Sequence, residues 1–358
     1  MNWYPLKMTF HVNPYVFAER LIADRLEKRG LPEGKVAETW EISAYEDKTG
    51  TVTNGALAGR TLSELTAAYP DELVGMGWRG ERFPLLEKFI DASGMLPVHL
   101  HPDDETAQRK YNEPNGKTEA WYILWARPGA SALMGVKPNL TPEEMRAAFE
   151  RHDYDRVLNR FPVATGDTIY VPGGVLHSFG PDTLIFEVEQ TSDLASDVMP
   201  SDLQGKSRPF DEWMQKISDT LDELRTDYQP RPQKGLDFDR ASGNRYSLGC
   251  VSPYFALERW TLHEPHAEPN HPQRCLTLSN IGAPVQIEYD GGMEMLDTAE
   301  SCLLPAALAG VRVRPTEKNE AAELIACYVP DLQTEIVEPL RRAGHSDAEI
   351  AARGEIKF

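Results

Sequence analysis

The chain reads as short apolar runs punctuated by Gly, Pro and Asn, with helical periodicity confined to a few windows. Residues 38–44 (Glu-Thr-Trp-Glu-Ile-Ser-Ala) alternate with period two, and 84–92 are mostly apolar. Residues 117–125, 167–171 and 183–190 set apolar and β-branched side chains between charged ones, a pattern that predicts strands. Amphipathic windows predict helices over 14–28, stopping at Gly30, over 61–69 before Pro70, and over 102–110, 141–160 and 210–224. The 141–160 insertion opens with Thr141-Pro142-Glu-Glu, a cap followed by Pro at the first helical position. Strand patterns return at 254–260, 285–289 and 324–328. The tail, 331–358, reads as helical, with Ser346-Asp-Ala-Glu349 as a capping box.

This order predicts a mainly β protein of two strand-rich barrels with helical insertions and a helical C-terminal tail. The expected division is a first barrel at 1–200 that includes the insertion near 141–160, a helical linker at 201–244, a second barrel at 245–330 and the tail at 331–358. The 358 residues exceed one ordinary domain, as this division requires.

Apolar residues make up 41 % and charged ones 26 %, the composition of a soluble globular protein. A net charge of -19 argues against nucleic acid and acidic membranes as partners, because phosphate binding relies on clustered Lys and Arg. An anionic substrate would need a locally basic pocket or a metal ion. No window is long and apolar enough to span a bilayer, and the start lacks a basic segment followed by an apolar run. The cytoplasm is the expected location. Cys250, Cys275, Cys302 and Cys327 form no CxxC pair, so buried, reduced thiols are expected rather than disulfides.

The candidate chemistry concentrates in two stretches. His99-Leu-His101 places two imidazoles on one face of a strand, since side chains alternate with period two. Gly166-Asp-Thr-Ile-Tyr-Val-Pro172-Gly-Gly174-Val-Leu-His177 runs through a strand and a Pro-Gly turn, then offers a third His. Three imidazoles and a carboxylate suit a divalent transition metal with positions open to a substrate. Glu105 and Glu119 compete for the carboxylate place; the helix-prone surroundings of Glu105 favour Glu119. Lys117 shares a strand face with Glu119, where its pKa is expected to fall toward a base's working range, and Glu187 alternates to face inward. His263, His266 and His271, interleaved with Glu264 and Glu268, read as a polar loop. Counting from Pro172 and Pro305, the second barrel has no residue matching His177.

The His99-to-Asp104 and Gly166-to-His177 stretches match the two signature motifs of the cupin β-barrel. With Asn54 to Leu62, Lys88-Phe-Ile-Asp-Ala, Gly116-Lys117-Thr-Glu119-Ala-Trp-Tyr-Ile-Leu, and 187–193, the chain resembles type I phosphomannose isomerase. The resemblance covers about residues 5 to 200 and, weakly, 250 to 310, where it implies a second cupin without chemistry. It implies an isomerase that interconverts mannose 6-phosphate and fructose 6-phosphate by proton transfer between C1 and C2 through an enediolate. It also implies one divalent metal ion, zinc first, with His101, Glu119 and His177 as ligands. His99 stands where the family has Gln, and the resulting three-His, one-Glu set also admits iron, manganese or nickel. Lys117 matches the family's lysine two residues before the Glu ligand and is expected to act in catalysis together with Glu187. Lys88, Asp193 and Asp197 are expected at the substrate. Pro97 replaces a phosphate-contacting Ser, Asp197 replaces an active-site Arg, and Ile22-Ala23 fall where the family has Trp-Gly. The alternatives these departures leave are an isomerase of an unphosphorylated or differently charged sugar, an oxidative cupin, and a non-catalytic sugar-binding cupin.

Overall fold

In the computed structural model, which describes residues 1–240, 243–317 and 320–356, the period-two runs become strands of four sheets. The first barrel faces a six-stranded sheet, in the order His11–Asn13, Glu38–Ile42, Leu85–Ala92, Thr183–Gln190, Glu119–Ala126 and Thr168–Val171, against a five-stranded one. The five-stranded sheet runs Ser196–Asp197, His99–Leu100, His177–Phe179, Ser131–Val136 and Leu158–Pro162. One apolar cluster joins their inner faces, with Ile90, Trp121, Ile169 and Ile185 from the first sheet and Ala132, Met134 and Phe179 from the second. The second barrel is built the same way, from a seven-stranded and a four-stranded sheet. The Leu6–Lys7 strand pairs with Ser301–Leu304, so the start of the chain belongs to the seven-stranded sheet. No helix among the described residues is long and apolar enough to cross a membrane. All four cysteines are free and buried, in agreement with the expected reduced thiols.

Several windows are shorter than their periodicity predicts. The helix expected over 14–28 is only Leu21–Leu26; the Asp91 carboxylate accepts from the Leu21 and Glu19 amides at its start, and Glu27 closes it in the left-handed region at φ 53°. The 102–110 window is a short turn at Asp104–Thr106 followed by a wider, π-type turn at Ala107–Tyr111. The 141–160 insertion ends early, because Leu158 is buried and pairs with Val136 as part of a strand. Phe210–Asp222 is helical as expected. The capping boxes at Thr141 and Ser346 form. The 263–271 stretch is not a polar loop. His266–Glu268 is a strand, and buried His266 sits 2.8 Å from Glu268 Oε2 through Nε2 and 2.8 Å from the Tyr246 hydroxyl through Nδ1.

A Glu-x-Trp pair recurs on three strands, and since residues two apart share a face, each indole donates to the carboxylate before it. The distances are 2.8 Å for Trp40 to Glu38, 3.1 Å for Trp121 to Glu119 and 2.8 Å for Trp260 to Glu258. In the second barrel the Arg240 guanidinium lies 2.8 Å from Glu258 and the Tyr328 hydroxyl 2.5 Å from it.

The barrels meet through the outer faces of the six- and seven-stranded sheets, where Phe89 and Phe186 stand edge to face in one apolar cluster with Leu257 and Leu278. Two buried carboxyls cross this seam. Lys28 joins Glu41 at 2.9 Å to the Ala299 carbonyl at 2.7 Å. Glu87 meets the hydroxyls of Thr277 and Ser279. Thr277 Oγ1 and Ser279 Oγ are the donors to it, and Thr277 Oγ1 also lies 3.0 Å from the Cys327 carbonyl. Burial pushes the Glu87 carboxyl up to about 8, with Thr277 and Ser279 opposing the shift. An acid whose folded-state pKa is raised contributes stability below its unfolded value that is lost as pH rises through the folded one. Urea unfolding is therefore expected to weaken between pH 4.5 and about 8, by at most about 1.4 kcal/mol per pH unit from this group. Glu87→Gln should flatten that slope and exceed the parent in stability at alkaline pH.

Candidate metal and substrate site

Strand register assembles the site. His177 pairs directly with His99, and His99 with Asp197, across the five-stranded sheet. On the facing sheet, Lys88, Glu187 and Trp121 form one row, and Glu189 and Glu119 occupy the next. Residues paired directly across strands share a face, and the alternation predicted for Glu187 carries Glu189 to the same side. Lys117 precedes the Glu119 strand after the Asn115-Gly116 turn, whose Gly116 packs against the Asp103 and Asp104 backbone too closely for a Cβ.

The three imidazoles converge, with ring centroids 4.3 to 5.3 Å apart. Each is oriented through Nδ1 by a carbonyl: Pro97 for His99 at 2.8 Å, Leu194 for His101 at 2.6 Å and Val175 for His177 at 2.8 Å. A carbonyl can only accept, so Nδ1 carries the proton and the neutral ring presents an Nε2 lone pair. His101 Nε2 lies 3.2 Å and His177 Nε2 3.1 Å from the Glu119 carboxylate, which is another acceptor; Lys117 Nζ can donate to His101 Nε2, but no donor meets His177 Nε2. Two sets of lone pairs at this range repel unless a cation shares them. Glu119 Oε2 and His177 Nε2 are also buried with no hydrogen-bond partner. The donor set of three imidazoles and a carboxylate therefore fits a divalent ion. Glu119, not Glu105, stands beside the histidines; Glu105 is exposed.

Electrostatics keep His99, His101 and Glu119 in that protonation state. Burial, then His177 and His101, holds His99 well below the usual imidazole range, and burial with Lys117 holds His101 down at about 4. Burial would raise Glu119, but Lys117, His101 and His177 hold it well below the usual carboxylate range.

Lys117 Nζ sits 3.0 Å from His101 Nε2, 2.9 Å from Glu189 and 3.3 Å from Glu119. The expected fall in its pKa is reversed by these neighbours. Burial lowers it, yet Glu189, Glu119 and Glu187 together raise it above the usual lysine value. Lys88, 2.9 Å from Glu189 and 3.5 Å from Glu187, is likewise raised well above its usual value against burial, Glu189 first. Glu189 sits between the two ammonium groups and is raised well above the carboxylate range by burial.

A cleft of about 620 Å³ opens onto this cluster, lined by Lys88, His99, His101, Lys117, Asp193 and Asp197, with Tyr15, Glu38 and Arg208 among its other walls. Glu187 is buried and is not among the lining residues. The substrate candidates are brought together, but each acid is already paired: Asp193 with Lys48 at 2.7 Å, and Asp197 with both Arg208 nitrogens at 2.6 and 3.0 Å. Glu189 and Arg208 were absent from the sequence-derived set. The i, i+2 spacing from Glu187 could have found Glu189, whereas Arg208 reaches the cleft by a loop that leaves no periodic signal.

Two facing-sheet barrels, one bearing three carbonyl-anchored imidazoles and a carboxylate, define a two-cupin protein with a candidate metal site. The chain belongs to the type I phosphomannose isomerase family. The profile of the phosphomannose isomerase type I catalytic domain matches residues 23–125. The chain is 31 % identical over 280 residues to the "Probable mannose-6-phosphate isomerase GmuF" of Bacillus subtilis (strain 168), covering 77 % of this chain and 85 % of that protein. It is 37 % identical over 236 residues to the mannose-6-phosphate isomerase of Streptococcus mutans, covering 65 % and 71 %. In fold it matches the crystal structure of the mannose 6-phosphate isomerase from Bacillus subtilis with a TM-score of 0.79 at 24 % identity, over 91 % of this chain and 99 % of that one.

Purified protein is expected to carry about one divalent ion per chain by elemental analysis, and chelation should lower its melting temperature by restoring the lone-pair repulsion at Glu119. Because losing an outer partner of a metal ligand already costs about 10–100-fold in affinity, His177→Ala should lose more than that.

Proposed function

We propose that this protein is a metal-dependent aldose–ketose isomerase that interconverts mannose 6-phosphate and fructose 6-phosphate. Family membership supports the reaction, and one observation carries the assignment to this site: the Lys117 ammonium shares a cleft with the imidazole set and contacts both His101 and Glu189. His99, His101, Glu119 and His177 would hold the ion, zinc by preference for its N and O donors. As a Lewis acid it would polarise the sugar's carbonyl and hydroxyl oxygens.

The chain's own groups would do the rest. Lys117 is the group placed to carry the proton between C1 and C2. Glu189, 2.9 Å from Lys117, is placed to exchange a proton with it. Divalent charge beside Lys117 would oppose the carboxylates and shift it toward the neutral amine that a base requires. Glu187, buried behind Lys88 and Lys117, would position these two ammonium groups rather than touch the sugar. Lys88 and Arg208 are the cations available to the sugar's far end, with Arg208 forked on Asp197, where the family's arginine falls. A cytoplasmic setting accords with such a soluble sugar phosphate.

A second reading, isomerisation of a sugar without a phosphate, is favoured by the pairing of Lys88, Lys48 and Arg208 with carboxylates, which leaves each cation at the cleft already engaged. Parallel assays on mannose 6-phosphate, mannose and lyxose separate the readings. The phosphate ester is expected to be turned over fastest, and a preference for free sugars would establish the second reading. Lys117→Met is expected to lower kcat by about 10²–10⁴-fold, the contribution of a positioned acid–base group, with metal content unchanged. Parent-like turnover in that variant would remove Lys117 from the mechanism.

A further inference from the structure

Away from the cleft, a groove of about 590 Å³ lies where the two barrels meet. Lys234, Arg245 and Arg259 line it, together with the hydroxyls of Tyr122 and Ser247, and no Asp or Glu is among its lining residues. In a chain of net charge -19, a lining with three cations and no acid turns only donors toward the groove, although each cation is joined to a carboxylate just outside it.

The cations are only partly satisfied. Arg259 gives Nε to Glu323 at 2.7 Å, Arg245 gives Nε and Nη2 to Asp237 at 3.0 and 2.8 Å, and Lys234 meets Asp167 at 2.7 Å and the Thr165 carbonyl at 3.2 Å. These carboxylates take one edge of each cation without lining the groove. Among the described residues, both Nη groups of Arg259, Nη1 of Arg245, and the Tyr122 and Ser247 hydroxyls have no protein hydrogen-bond partner. The floor is close: a Cβ on Gly235 would meet Ser247 Oγ at 2.2 Å, so only glycine leaves that hydroxyl its place.

We propose that this groove binds a small molecule through a phosphate group, at a site separate from the catalytic cleft. Guanidinium edges, an ammonium and hydroxyl donors match the acceptor oxygens of a phosphate. The separation follows from strand alternation: Glu119 and Trp121 face the imidazoles, and Tyr122, on the same strand, faces the opposite way into the groove. A bound phosphate ester would therefore rest on the back of the strand that carries the candidate metal ligand.

Calorimetric titration of the metal-loaded protein with inorganic pyrophosphate, at about 0.15 M salt where nonspecific surface attraction is screened, tests the site. Saturable binding is expected in the parent. Arg259→Gln and, independently, Ser247→Glu should each weaken it about tenfold or more, the loss of a charge-assisted contact or the gain of a like charge. Their melting temperatures and KM for mannose 6-phosphate should stay at the parent values. Parent-like pyrophosphate affinity in both variants, absence of binding in the parent, or a KM that rises in step with the lost affinity would each overturn the proposal. Ser247 lies on a part-exposed strand position, so its variant keeps the test sharp should Arg259→Gln fail to fold.

Discussion

Everything at the candidate site depends on where three protons sit. Once Pro97, Leu194 and Val175 carbonyls take the Nδ1 protons, the imidazoles have only lone pairs left to offer, and two of them are aimed at a carboxylate that is itself all acceptor. The backbone thus writes the requirement for a cation into the fold. The three carbonyls stand in the loops next to the strands, so each His99, His101 or His177 ring is set by a strand end together with the loop beside it.

The same economy governs the charges around it. Lys88, Lys117, Glu119, Glu187 and Glu189 occupy one buried face, and an isolated ion there would be too costly to keep. Each is tolerable only because its neighbours are present. Lys117 is consequently a member of a network before it is a base, and its proton affinity is set by burial and Lys88 on one side and Glu189, Glu119 and Glu187 on the other. The reversal of its expected pKa shift follows from counting that whole face instead of its strand neighbours alone.

Much of this was legible in the sequence. The period-two runs gave the strands of the six-stranded sheet, and the His-x-His spacing with His177 gave the imidazole set, because both depend on local alternation. The choice of Glu119 over Glu105 followed from the helix-prone surroundings of Glu105, which the structure shows as a short turn at Asp104–Thr106. What stayed hidden depends on contacts between distant segments. The helix over 14–28 is cut short by Asp91, some seventy residues on in the chain. Leu6–Lys7 joins the seven-stranded sheet through Ser301–Leu304, a pairing that no local pattern encodes. His266 reads as one polar residue among several in a Pro-rich stretch, and only the fold shows that Tyr246 and Glu268 bury it. Arg208 at the cleft belongs to the same class.

The Glu-x-Trp pairs have a consequence for how the two halves relate. In the first barrel, Glu119 is steadied by Trp121 and turned toward imidazoles that add no positive charge of their own. In the second, Glu258 is steadied by Trp260 in the same way, but its counter-charge is Arg240, carried by the chain itself. The first barrel sets Lys117 3.3 Å from its carboxylate and leaves lone pairs beside it that an ion could take, whereas the second closes the balance with its own arginine. The carboxylate of the second half is therefore balanced without any ion. The two halves share one buried apolar cluster that holds both Phe89 and Leu257, so the half that can take an ion is packed against one that has no need of it.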